Sequence, residues 1–141
     1  MKVITKSEKD TFELAQKFAG KLAGGEVLCL IGDLGAGKTA FTKGLAKGLN
    51  VKNIITSPTF VLLKPYLAKL KNIYKLVHID AYRLDSGAEL DYIGAEEYFK
   101  DENCVTVIEW ADKVRDVWPK KAIQIKFKIL KGDKREINIF N

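Results

Sequence analysis

Arginine is scarce in this chain. Of 24 basic residues in 141, only Arg83, Arg115 and Arg135 are arginine. Planar forks that read base edges are therefore few, and no RNA-binding signature is visible. Specific nucleic-acid binding is disfavoured. The net charge of +6 reads first as a lysine-rich solvated face, with RNA or an acidic protein left open as a partner. Cysteine is sparse too. Cys29 and Cys104 sit in the apolar runs VLCLI and CVTVI, as small buried residues do. Neither their spacing nor their neighbours suggest a metal site, and a structural disulfide is disfavoured in a reducing compartment. No apolar run approaches the roughly 18 residues of a membrane helix. The opening MKVITKSEKD lacks the apolar centre of a signal peptide. The expected location is the cytoplasm. There is no repeat, low-complexity run or linker, so residues 1–141 are expected to form a single domain.

What is present alternates between strand and helix patterns, the mark of an α/β layered fold. Thr5 and Glu8 have the spacing of a capping box. Leu14, Ala15, Phe18 and Leu22 then repeat at helical spacing up to Gly24-Gly25. EVLCLIG reads as a strand buried on both faces, and Lys38 to about Leu49 as a helix with Phe41, Leu45 and Leu49 on one side. NIITSPTFVLLKPY reads as a loop entering a strand, and NIYKLVHIDAYRL as a second strand able to pair with it. A helical region follows at about Ala88 to Lys100, then the apolar strand CVTVIEW. KAIQIKFKIL and REINIF alternate around GD as a hairpin, the first as an outer strand with one wet face. The expected fold is α/β: a three-layer P-loop NTPase-like fold. Its central sheet is mixed and mainly parallel, with antiparallel hairpins at one side.

GDLGAGKT, residues 32–39, satisfies G-x-x-x-x-G-K-[ST] with a strand before it and a helix after. Glycine lets backbone N–H groups turn inward around phosphate oxygens, and the helix start adds partial positive charge. The expected nucleotide-binding residues are Gly32, Asp33, Leu34, Gly35, Ala36, Gly37, Lys38, Thr39 and Ala40. Lys38 would reach the β and γ phosphates of the nucleotide, and Thr39 would offer its hydroxyl to Mg²⁺. The N/T-K-x-D tetrapeptide of guanine recognition is absent. The D-x-x-G match at Asp91–Gly94 has no apolar strand before it and reads as chance, which disfavours GTP.

Two apolar strands end in carboxylates, KLVHID at Asp80 and CVTVIE at Glu109. Both are expected at the carboxyl edge of the sheet, where open α/β sheets bind ligands. One would orient the metal or its water and the other would position or activate the attacking water. Asp80, Glu109 and Lys38 are the candidate catalytic residues; Thr39, Glu109 and Asp80 are the candidate metal ligands. His78 shares a strand face with Asp80, which admits a place near the site. A packed or surface histidine is the reading its lone occurrence favours. In SPTF, residues 57–60, Thr59 has the hydroxyl of a γ-phosphate sensor, and Ser57-Pro58 is equally a turn opener.

These pieces together resemble the bacterial TsaE family, also called YjeE. The matching segments are GDLGAGKTAF (32–41), SPTF (57–60), HIDAYRL (78–84), GAEEYF (94–99) and IEW (108–110). The resemblance runs from about Leu22 to Trp110 and loosely to Pro119. The hairpin at 120–141 matches no motif. The resemblance implies an ATPase using ATP and Mg²⁺ in the making of N6-threonylcarbamoyladenosine in tRNA. It also implies partners, a TsaD-like and a TsaB-like protein, which ATP binding and hydrolysis reset between turnovers; tRNA is then met indirectly. Thr59 becomes the switch contact, and Asp80 and Glu109 the acidic pair at metal and water. Trp110 follows the acid in the family pattern and reads as an aromatic packed at the site edge or a partner surface.

Two other classes stay open on the residues. A small-molecule kinase needs an acceptor site and a lid. The stretch after Asp80 is short, with Arg83 the one nearby arginine, an ion-pair partner as readily as a transition-state contact. A nucleotide switch without required hydrolysis differs little in sequence from a partner-dependent ATPase.

Overall fold

In a computed structural model of the chain, residues 1–56 and 62–140 are described. Thr59 lies outside them, so its expected switch role has no structural counterpart below.

The described strands are β1 (Lys2–Thr5), β2 (Val27–Ile31), β3 (Leu63–Leu70), β4 (Ile73–Asp80), β5 (Cys104–Glu109), β6 (Ile123–Ile129) and β7 (Arg135–Phe140). They form one sheet in the order β1-β7-β6-β2-β5-β4-β3. Its centre, β6-β2-β5-β4, is parallel. The expected parallel core and mixed sheet are therefore present. Antiparallel pairs close both edges rather than one: β3–β4 on one side, β6–β7 with β1 added on the other.

The helices are α1 (Glu8–Ala19), α2 (Lys38–Gly48), α3 (Ala88–Tyr92) and α4 (Ala95–Lys100), with a 3-10 helix at Ala111–Val117. Strand alternation divides the core between two faces. Leu28, Leu30, Val105, Val107 and Leu76 pack with α1 and α2. Val27, Cys29, Ile108, Val77 and Ile79 pack with α3, α4 and the 3-10 helix. This is the three-layer arrangement. Both cysteines are fully buried, and burial pushes the Cys29 thiol up to about 12 despite the nearby Arg115. No described helix is long and apolar enough to cross a membrane.

Several local expectations change. α1 is capped by Ser7, whose hydroxyl accepts from Asp10 N at 3.1 Å. Thr5 is not the cap, because it belongs to β1 opposite Arg135 and its hydroxyl bonds Thr11 at 2.8 Å. β6 is an interior strand between β2 and β7, not an outer one. Its alternation is still real: Ile125 and Phe127 are buried while Lys126 and Lys128 are exposed. The helical region at 88–100 breaks into α3 and α4 at Gly94, which has φ of 80°.

α1 and α2 approach closely through Gly44. A Cβ there would lie 2.1 Å from the Phe12 carbonyl oxygen and 2.8 Å from its carbon. Backbone cannot yield as a flexible side chain does, so Gly44→Ala must separate the two helices. The expected loss is about 2–4 kcal/mol of unfolding free energy, read as a lower urea midpoint. A loss under about 0.5 kcal/mol, the range of an ordinary surface change, would refute the close approach.

Candidate functional site

The phosphate loop runs from the end of β2 into α2. Gly35 and Gly37 have φ of 80° and 109°, a region costly for side chains, and Gly37 is the residue on which α2 starts. Ala36 packs in the core and Ala40 is buried, and with only a methyl each can offer a phosphate nothing but backbone. Leu34 is exposed. Lys38 is buried, and its ammonium donates to the carbonyls of Gly32 and, at 2.8 Å, Asp33. Burial lowers its pKa, against the opposing pull of Glu109 first, then Asp33, Asp112 and Asp80.

Asp80 and Glu109 are register partners at the carboxyl ends of the neighbouring parallel strands β4 and β5. Leu30 on β2 pairs with Glu109 on its other side. Both acids thus stand on one rim of the sheet beside the loop, and alternation turns both toward the α2 layer. Glu109 is 4% exposed. Its Oε1 accepts from the Thr39 hydroxyl at 3.2 Å across 70 residues of chain. Its Oε2 lies 2.5 Å from His78 Nε2. Asp80 Oδ1 accepts from Tyr82 N at 3.0 Å.

The structure therefore brings Thr39 and Glu109 into contact, with Lys38 within the reach of the Glu109 charge and Asp80 one strand further out. His78 is neither a surface residue nor an idle core one; it is 1% exposed and bonded to Glu109. The H-x-D alternation was the one signal for it. Arg83 is exposed. Trp110 lies at the site edge, its ring 4.0 Å from the Lys38 ammonium and 5.0 Å from the Tyr82 ring. Its φ of 57° is unusual for so bulky a residue, and it turns the chain from β5 into the 3-10 helix.

Beside the loop lies a cleft of about 280 Å³ whose walls include Glu8 and Thr11 of α1 and Asp133 and Arg135 of the β6–β7 hairpin. Arg135 donates to the Gly35 carbonyl from Nε at 3.2 Å and Nη2 at 3.1 Å. The C-terminal hairpin, which carries no motif, thus builds a wall of the site and ties down the loop.

The donor set fits Mg²⁺. It offers a hydroxyl and a carboxylate oxygen, both hard, and Mg²⁺ takes few protein ligands when phosphates and water supply the rest. Among the described residues no three His, Cys, Asp or Glu side chains cluster to hold a metal by themselves.

Comparison with known proteins gives one consistent result. A family model described as "Threonylcarbamoyl adenosine biosynthesis protein TsaE" matches residues 5–137, so the likeness extends past Pro119 into the hairpin. Proteins named "tRNA threonylcarbamoyladenosine biosynthesis protein TsaE" are similar along the chain. The one from Bacillus subtilis is 39% identical, covering 94% of this chain and 80% of its own length. The one from Treponema pallidum is 39% identical, covering 99% of both. The crystal structure of Bacillus subtilis YdiB superposes with a TM-score of 0.82 at 35% identity, covering 99% of this chain and 83% of that one.

Proposed function

The chain belongs to the TsaE family, and from that membership and the geometry of the cleft we propose that it is a Mg²⁺-dependent ATPase. It serves tRNA threonylcarbamoyladenosine biosynthesis in the cytoplasm. It acts with TsaD-like and TsaB-like partners, which ATP binding and hydrolysis reset between turnovers, so that tRNA is met through them. The observation that carries the reading is the Thr39–Glu109 hydrogen bond. It joins the loop hydroxyl to a strand-end carboxylate, the pair that a P-loop enzyme sets around its metal.

The roles follow from position. Backbone N–H groups of residues 32–40 cradle the phosphates. Lys38 exchanges its carbonyl partners for β and γ phosphate oxygens. Thr39 and Glu109 would hold Mg²⁺, which when bound neutralises phosphate charge. Asp80, further along the same rim, orients the attacking water. Thr39 is exposed while Glu109 is buried; the open side admits substrate and the closed side fixes the carboxylate.

The test incubates the protein with Mg·ATP, alone and with the two partners. The expected product is free phosphate, released slowly alone and at a changed rate with the partners. Phosphate appearing on a small acceptor would replace this reading with a kinase. Unchanged rounds of tRNA modification with a hydrolysis-dead variant would replace it with a switch.

A further inference from the structure

β4 runs Leu76, Val77, His78, Ile79, and its apolar members here are fully buried. Burial in such a place is costly for an imidazole. His78 has one nitrogen satisfied, Nε2 on Glu109. Its Nδ1 is buried with no hydrogen-bond partner among the described residues. A leucine or valine would bury here with no orphan atom. A half-satisfied buried polar group calls for an explanation in function.

The explanation lies in what Glu109 would otherwise do. Of the acids around Lys38, Glu109 exerts the largest pull on its ammonium. A carboxylate closing onto that ammonium would occupy the two groups needed for metal and phosphate. Instead Lys38 bonds the loop carbonyls of Gly32 and Asp33, and Glu109 is held from behind. A carboxylate only accepts, so Nε2 is the donor. It fixes Oε2 and leaves Oε1 turned to the Thr39 hydroxyl. We propose that His78 is a positioning residue that locks the Glu109 carboxylate, so that one oxygen alone is presented beside Thr39 for a divalent cation. The assignment rests on the Mg·ATP reading above. Partners that orient a metal-binding group from behind typically change metal affinity or activity by about 10- to 100-fold when removed.

The test compares His78→Gln, His78→Asn and His78→Leu with the wild type. The glutamine amide reaches as far as Nε2, the asparagine amide falls short, and leucine has no donor. Mn²⁺ binding to the ADP-loaded protein is read by electron paramagnetic resonance, and ADP binding in EDTA by calorimetry. Expected is Mn²⁺ affinity within about threefold of wild type for His78→Gln, and a loss of about 10- to 100-fold for the other two. ADP affinity without metal stays unchanged throughout. Turnover falls in kcat, not KM, in the same order. Equal Mn²⁺ affinity in all four proteins, or equal loss in His78→Gln and His78→Asn, overturns the assignment even if His78→Leu does not fold. A wild type that binds ADP and no Mn²⁺ overturns the metal reading itself, and the assignment with it.

Discussion

Lys38→Ala is expected to lower Mg·ATP affinity by about 100-fold or more, at the cost of two charge-assisted hydrogen bonds. Lys38 is 5% exposed, and its ammonium is kept in place by two loop carbonyls and the face of Trp110. Burial works against its charge, and the acids Glu109, Asp33, Asp112 and Asp80 work for it. A cation so placed is held at the loop before phosphate arrives, and binding exchanges its carbonyl partners for phosphate oxygens. Each hydrogen bond to a charged group is worth about 1.5–3 kcal/mol, and every 1.4 kcal/mol is tenfold in affinity. Truncation removes these contacts and leaves the loop's glycine turns and the α2 start untouched. Melting should therefore stay close to wild type while calorimetric titration with Mg·ATP loses its signal. A dissociation constant within threefold of wild type would remove Lys38 from the site.

The loop was legible in the sequence because everything it needs is local: a strand, turn-forming glycines and a helix within 22 residues of chain, Val27 to Gly48. The strand-end position of Asp80 and Glu109 was legible for a similar reason, since an apolar run stopping at a carboxylate is visible in a short window. What stayed hidden depends on strand order. β4 and β5 lie side by side, yet His78 and Glu109 are 31 residues apart. Only the sheet reveals that the histidine sits diagonally behind the acid. Arg135 and Gly35 are 100 residues apart, and their contact follows from β7 folding back over β6 toward the loop. β1 has four residues with a single buried side chain, Thr5, too little periodicity to distinguish a strand from a tail. It is defined by pairing with β7.

Glu109→Gln should separate the two acids, whose roles the sequence leaves interchangeable. The substitution keeps shape and removes charge. The amide oxygen can still accept from His78 Nε2, and the amide nitrogen can donate to the Thr39 hydroxyl, so both existing contacts have a neutral substitute. Folding is thus preserved and the loss falls on the metal, for which an amide donor is no ligand. The expected result is a drop in hydrolysis of about 100- to 1000-fold, the scale of losing one electrostatic contact in a reacting site. Mn²⁺ affinity of the ADP complex falls with it, and ADP affinity in EDTA holds. Asp80→Asn should differ in kind. Asp80 has the smallest pull on Lys38 of the four acids around it, and its Oδ1 accepts from Tyr82 N. Turnover should fall while Mn²⁺ affinity stays within about threefold, less than the roughly tenfold minimum typical for a lost metal-orienting group. If Asp80→Asn instead loses the metal and Glu109→Gln keeps it, the two acids exchange roles. Should neither variant change turnover, the rim where β4 and β5 end is not where ATP is cleaved.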